Sequence, residues 1–318
     1  MTLQTYKQAC IFGGTGFIGR QLVRQLAKDG YRVKVATRVP ERGFFLKTAG
    51  QVGQITPVAC DYSDEASVRM LVKNCDLVVN CVGILTESGK TRFETIHTDL
   101  PKRIARACAT ENVEILIHIS ALGCDKAQSK YAKSKLAGEE AVRAEFPKAV
   151  ILRPSVVFGA EDNFFNMFAK LSIMLPALPL IGGGETKLQP VYVGDVADAV
   201  SACLNDPQRL GKTYELGGPQ KYSLKDIYNL VFRVTNRRRF LMSVPWGLAK
   251  IQGTILGLMP KPLMTADQVE TLKTDNVVAP AALSFRDLGI VPTAPEIILP
   301  VYLSRFRPGG RFGDKKRA

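Results

Sequence analysis

The stretch from Ser120 to Lys135, SALGCDKAQSKYAKSK, carries the side chains of a proton-transfer site. Among the nine tyrosines, Tyr131 alone has a lysine four residues on, at Lys135. On a helix that spacing puts both side chains on one face. An ammonium near a phenol favours the phenolate, so Tyr131 can act as an acid or base while Ser120 orients a carbonyl. The same two residues can instead hold ribose hydroxyls and do no chemistry. Composition alone makes one such Tyr-Lys pair unremarkable, and its weight comes from following an apolar, strand-like run, EILIHIS.

A phosphate cradle lies upstream. CIFGGTGFIGRQLV places Gly13, Gly16 and Gly19 between a strand-like run and a helical pattern. In that register the first glycine permits a tight turn, the second lets backbone approach a pyrophosphate, and the third lets helix and strand pack closely. The nucleotide is chosen at the end of the second strand, where a carboxylate would take a ribose 2′-hydroxyl. The chain reads VATRVPER there, with Thr37, Arg38 and then Arg42. A guanidinium binds a 2′-phosphate bidentately where a carboxylate would repel it, which favours NADP(H) over NAD(H). The alternative is that Arg38 is a loop residue facing water. Asp61, ending the third strand, can accept from an adenine amino group, and Ser63 or Asp64 suits the N-cap of EASVRMLVKN.

The elements that must hold these residues alternate in type. QACIF, RVKVAT, ITPVAC, DLVVNCV, EILIHIS and AVILRPSVV read as strands, separated by helical periodicity such as GRQLVRQLAKDG, with Ile18, Leu22 and Leu26 on one face and Gly30 at its C-terminal stop. Apolar strands joined by helices imply an α/β fold, a doubly wound parallel sheet of Rossmann type with its ligand crevice at the strands' carboxyl ends. Residues 1–160 read as this nucleotide domain, joined by a returning strand near 212–218, GKTYELGG. Residues 161–318 read as a smaller C-terminal cap, with a Pro-punctuated, Phe-rich segment from Phe164 to Pro179 and a helix capped near Asp195.

The formal charge is +14, with clusters at Arg233, Arg237, Arg238 and Arg239 and in the tail at Arg305, Arg307, Arg311, Lys315, Lys316 and Arg317. Such patches suit phosphate, acidic protein or anionic lipid, and no nucleic-acid module accompanies them. Seven scattered cysteines without a C-x-x-C pair suggest reduced thiols, and two histidines, His97 and His118, argue against a metal site. The first strand-like run begins so near Met1 that no signal peptide is expected. No apolar run reaches the roughly 18 residues of a membrane span. LSIMLPALPLIGG and PWGLAKIQGTILGLMP come closest, and Pro or Lys interrupts both. The tail RPGGRFGDKKRA reads as disordered.

FGGTGFIG, NCVG, YAKSK, LRPSVVFG and VYVGDVADA, in this order, resemble the short-chain dehydrogenase/reductase superfamily in its extended or atypical branch. LMTADQVETLKTDNVV and ILPVYLSRFRPGGRF resemble more specifically the nucleotide-binding accessory subunits of respiratory complex I, NADH:ubiquinone oxidoreductase, and this likeness covers essentially the whole chain. It implies a tightly held NADPH that is not turned over and contacts with other complex I subunits of the hydrophilic arm near the membrane junction. The implied location is the cytoplasmic face of a bacterial inner membrane, equivalent to the mitochondrial matrix side, with anionic headgroups in reach. Gly13, Gly16, Gly19, Arg38, Tyr131 and Lys135 carry over as nucleotide contacts, and the candidate lining also takes in Thr15, Phe17, Ile18, Asp61, Tyr62, Val82, Gly83, Ser120 and Pro154. The chain departs from catalytic relatives where Ala121 stands at the usual reactive Ser or Thr. Ser120 is one position early, and only ten residues separate it from Tyr131. The alternative function is an NADPH-dependent reductase, dehydrogenase or epimerase using Tyr131 and Lys135. His97, in FETIHTDL, stands where the superfamily has Asn and reads as a satisfied polar contact.

Overall fold

The computed structural model describes residues 7–89, 91–257, 259, 262 and 264–310. Its first half alternates β1 (Gln8–Phe12), α1 (Phe17–Lys28), β2 (Arg32–Thr37), β3 (Ile55–Ala59), α2 (Glu65–Val72), β4 (Leu77–Asn80), α3 (Leu100–Thr110), β5 (Ile115–Ile119), α4 (Lys130–Glu145) and β6 (Val150–Pro154). The second half holds β7 (Val157–Phe158), α5 (Phe165–Met174), β8 (Ala177–Ile181), β9 (Lys187–Leu188), β10 (Val191–Tyr192), α6 (Val193–Leu204), β11 (Thr213–Leu216), β12 (Tyr222–Ser223), α7 (Leu224–Thr235), β13 (Phe240–Val244), α8 (Trp246–Leu256), α9 (Ala266–Thr271) and α10 (Pro295–Leu303). The tail cations Arg311, Lys315, Lys316 and Arg317 lie outside the described residues.

Seven strands form one parallel sheet in the order β11-β6-β5-β4-β1-β2-β3. The chain order reverses between β1 and β4, and there the carboxyl ends open a crevice. The central strand β1 buries both faces: Ala9 and Ile11 join Leu22 and Leu26 of α1 on one side, while Cys10 and Phe12 join Val68 of α2 and Ile104 of α3 on the other. This side-to-side alternation is why the strands are apolar almost throughout. A third cluster, with Phe158, Phe165, Leu178, Tyr228, Val231, Leu299 and Leu303, ties together the C-terminal helices.

Three details differ from the sequence reading. AVILRPSVV is not one strand: it breaks at Ser155, whose hydroxyl bonds to Asn276, and β7 leaves the sheet to pair with β10. The segment from Phe164 to Pro179 is largely regular, forming α5 and the start of β8, which pairs with β13. Asp195 does not cap α6; from its first turn it accepts from the Thr293 amide at 2.6 Å and hydroxyl at 2.8 Å, fastening the segment before α10. All seven cysteines are unpaired in the structure, six of them buried.

Candidate nucleotide site

The glycine turn closes the crevice floor. Gly13 has φ +77°, and a Cβ there would lie 3.0 Å from the Cys81 carbonyl carbon and the Val82 nitrogen, so β1 and β4 approach as closely as only glycine allows. A Cβ on Gly19 would collide with the Gly13 carbonyl oxygen, which fixes how α1 sits on the turn. The N-terminus of α1 at Gly16 has no side-chain cap and no acidic residue in its first turn. Its open amides and positive dipole end therefore face the crevice uncompensated, as a pyrophosphate requires. Arg20 braces the turn by donating to the Thr15 carbonyl at 3.0 Å while paired with Glu161. Phe17 lies against Gly159 beside the half-buried Ile18.

Past β2, Arg38 is exposed and engages no acidic partner among the described residues, so its guanidinium is available to a phosphate. The Asp61 carboxylate is held by Ser63, accepting from its amide at 2.8 Å and its hydroxyl at 2.6 Å through Oδ1, which lowers its pKa. Asp64, not Ser63, caps α2. The Tyr62 hydroxyl donates to Ala36 O at 2.9 Å, and burial pushes its pKa up to about 12. Arg103 of α3, which has no sequence signature, donates to Tyr62 O at 2.7 Å, and its buried Nε has no partner among the described residues.

Tyr131 and Lys135 share one face of α4, but they do not form the expected acid–base pair. Lys135, 4% exposed, donates from Nζ to Ile119 O at 3.2 Å, and burial lowers its pKa to about 8. Part of Tyr131 is open to solvent, yet its hydroxyl lies where burial, with Cys124 nearby, raises its pKa to about 12. Lys135 does not offset that rise, and burial outweighs the ammonium that was expected to favour a phenolate. Gly83 adjoins both Lys135 Nζ and His97 Nε2, and the Val82 amide is bonded by the Asn80 side chain at 3.1 Å. Pro154 accepts from the Leu122 amide at 2.9 Å at the other wall.

Ser120 is 4% exposed, and its Oγ lies 3.9 Å from Cys124 Sγ. Cys124 in turn donates to Glu139, which forms a bidentate pair with Arg153 at 2.8 and 2.9 Å. This is a structural network below the crevice. His97 is a satisfied polar contact, accepting from the Ile84 amide at 3.0 Å.

Two residues that no local pattern announces cover the Tyr131 end of the site. Asp267, in the first turn of α9, accepts from the Lys130 amide at 2.7 Å and the Tyr131 amide at 3.0 Å. Asn276 donates to Leu122 O at 2.7 Å and accepts from Ser155 at 2.5 Å. The segment between them is thus tied at one end to the first turn of α4 and at the other to the chain at Leu122 and Ser155. Two surface grooves, of about 680 Å³ beside Met174 and Phe240 and about 1110 Å³ at the sheet's other end near Gln54, are distant from these residues.

A glycine turn at the switch point of a parallel sheet, with a Tyr-x-x-x-Lys helix at the same edge, defines a dinucleotide-site protein of the extended dehydrogenase/reductase type. The sequence profile of the NAD dependent epimerase/dehydratase family matches residues 9–217. The mouse mitochondrial NADH dehydrogenase [ubiquinone] 1 alpha subcomplex subunit 9 is 36% identical over 91% of this chain and 78% of its own length. The Arabidopsis thaliana protein of the same name is 36% identical over 96% and 80%. An Escherichia coli NADPH-dependent quinone oxidoreductase, crystallised with NADPH, shares the fold with a TM-score of 0.74 at 18% identity over 91% of this chain and 97% of its own. The chain belongs to the NAD dependent epimerase/dehydratase family and, within it, to the branch formed by these complex I subunits.

Proposed function

We propose that the chain is an accessory subunit of respiratory complex I that holds NADPH as a structural ligand and does not turn it over. The observation that carries this reading is the bonding of Asp267 to the Lys130 and Tyr131 amides and of Asn276 to Leu122 O, which we read as an obstruction at the Tyr131 end of the crevice. The groups that chemistry would need are otherwise committed: Lys135 to Ile119 O, Ser120 to the Cys124 side. The phosphate-binding half has no such obstruction, because the α1 amides and Arg38 remain available. Holding needs only that half, with Tyr131 and Lys135 beside it. A tight ligand of the native state stabilises it in proportion to the logarithm of its saturation.

In this reading residues 1–160, with the strand near 212–218, hold the nucleotide, and 161–318 form the cap that meets other subunits of the hydrophilic arm. No helix among the described residues is long and apolar enough to cross a membrane; the likeness to complex I subunits is what supports a peripheral place at the cytoplasmic face in a bacterium. Isolation of complex I from the source membranes tests the whole reading. The chain is expected to comigrate with NADH:quinone activity and to release NADPH on denaturation, and Arg38→Ala should cost NADPH roughly ten- to hundredfold in affinity while sparing NADH. Rapid oxidation of the bound nucleotide by a carbonyl substrate, slowed by Tyr131→Phe, would establish the reductase alternative instead.

A further inference from the structure

His97 sits 1% exposed in a π-helical turn, Glu94–Asp99, that runs into α3. Its ring joins two elements of the candidate nucleotide site. Nε2 lies 3.0 Å from the Ile84 nitrogen, in the loop after β4 that contains Val82 and Gly83. Nδ1 lies 2.9 Å from Ser134 Oγ on α4, and that hydroxyl donates to Tyr131 O at 2.7 Å. The Phe93 ring stacks on His97 at 5.3 Å, and Tyr131 meets it edge-on at 5.4 Å.

The protons in this chain follow from donor and acceptor capacity. A backbone amide only donates, so Nε2 must present its lone pair to Ile84. Ser134 spends its proton on Tyr131 O, so the ring proton must be on Nδ1. A second proton on Nε2 would oppose the Ile84 N–H and add charge beside Lys135. Burial and Lys135 accordingly lower the His97 pKa to about 3. The titratable groups around the ring are Lys135 and Tyr131 on α4 and His118 on β5.

We infer that His97, as the neutral Nδ1–H tautomer, is the positioning residue of the nucleotide site, locking the Val82–Ile84 loop to the Tyr131–Lys135 helix. Two close approaches tighten the lock: a Cβ on Gly138 would collide with the His97 backbone oxygen, and one on Gly83 would come 3.3 Å from the Lys135 side-chain Nζ. The inference rests on the nucleotide-holding reading, and its test separates the two.

His97→Phe keeps the ring volume and loses both bonds, whereas His97→Gln can still accept from Ile84 with its side-chain oxygen. NADPH affinity is measured by titration on the purified full chain, with the melting temperature of each variant recorded without nucleotide. Positioning predicts roughly tenfold weaker NADPH binding in His97→Phe, with at least partial recovery in His97→Gln, because one orphaned buried amide is enough for that change. A residue that merely supports the fold would lower the melting temperature and leave affinity unchanged in the folded fraction, which overturns the inference. Wild-type chain that binds no NADPH overturns the nucleotide reading and this inference together. Should His97→Phe not fold, nitrogen NMR of the wild-type ring still decides: a ring protonated at Nε2, or a cationic ring at neutral pH, overturns it.

Discussion

Among the described residues Lys135 has no carboxylate in salt-bridge reach; it donates to the Ile119 carbonyl, and its buried charge is costly. The usual lysine value is 10.5 and burial lowers it to about 8, so between those values the unfolded chain binds more protons than the folded one. The Lys135 contribution to nucleotide-free stability therefore rises with pH across that window, with its full cost present below pH 8. Lys135→Met keeps the length and removes the charge. It is expected to exceed the parent's stability at pH 7 by on the order of 2–3 kcal/mol and to lose that advantage by pH 10.5. Denaturant midpoints taken over a pH series would show it; an advantage that does not shrink with pH points to packing rather than a buried charge. Tyr131 works oppositely at higher pH, since a phenol raised to about 12 makes the fold less stable from pH 10 upward. The Tyr-Lys pair was legible because helical spacing is a local property. The direction of Ser120 was legible only as a doubt, since Cys124 and Glu139 had to be placed before the side chain had somewhere to go. Asp267 lies in a stretch that the resemblance singled out, yet its contact with α4 left no trace, because its partners are 136 and 137 residues away in the chain.

Asp267 acts at the scale of the element, as a second cap on α4. Ser129 already accepts from the Ala132 amide at 3.2 Å, and Asp267 takes the two amides before it, Lys130 and Tyr131. One carboxylate from α9 thereby completes the start of the helix that carries Tyr131 and Lys135, at the end where the dipole favours negative charge. Asp267→Ala is expected to cost about 1–2 kcal/mol. It should also raise amide exchange over 265–276 and at the first turn of α4, while β1 and β4 stay protected. Exchange that rises evenly across the chain would mean that Asp267 supports the fold at large and not this contact. Elements of the nucleotide half were readable because each carries its own signal: continuous apolar runs for the strands, a leucine face for α1, and Gly30 at φ +87° where that helix stops. The errors fell where a distant residue decides. Ser155 breaks a β-rich run because Asn276 is there to receive it, and Asp195 leaves its own helix start uncapped because Thr293 is the stronger partner.

At the scale of the molecule, the first of the two apolar stretches too short to span a membrane supplies β8, which pairs with β13, and the second, directly after β13, forms α8. Phe240 is 80% exposed, and Met174, Met242, Leu248, Ile251 and Ile255 are exposed with it. Leu248, Ile251 and Ile255 recur at helical spacing on one face of α8, while Ala249 and Gly253 are buried, Gly253 close against the chain at Thr265 and Ala266. No Asp or Glu occurs in residues 163–184 or 227–266, which include Lys170, Arg233, Arg237, Arg238, Arg239 and Lys250. Exposed apolar side chains within acid-free, basic segments match an anionic lipid surface, to which each cation near the headgroups adds about 1 kcal/mol. The purified chain is expected to co-sediment with vesicles containing a third phosphatidylglycerol, to release as salt is raised from 0.1 to 0.5 M, and to bind neutral vesicles poorly. Ile251→Ser with Phe240→Ser should weaken binding to the anionic vesicles by roughly tenfold, since each removes an apolar side chain worth about 1.5–3 kcal/mol when fully buried and only part of that at an interface. Both changes are at exposed positions, so melting temperature should hold. If wild-type chain ignores anionic vesicles yet the same pair of substitutions removes it from complex I, the face belongs to a neighbouring subunit and the lipid assignment falls.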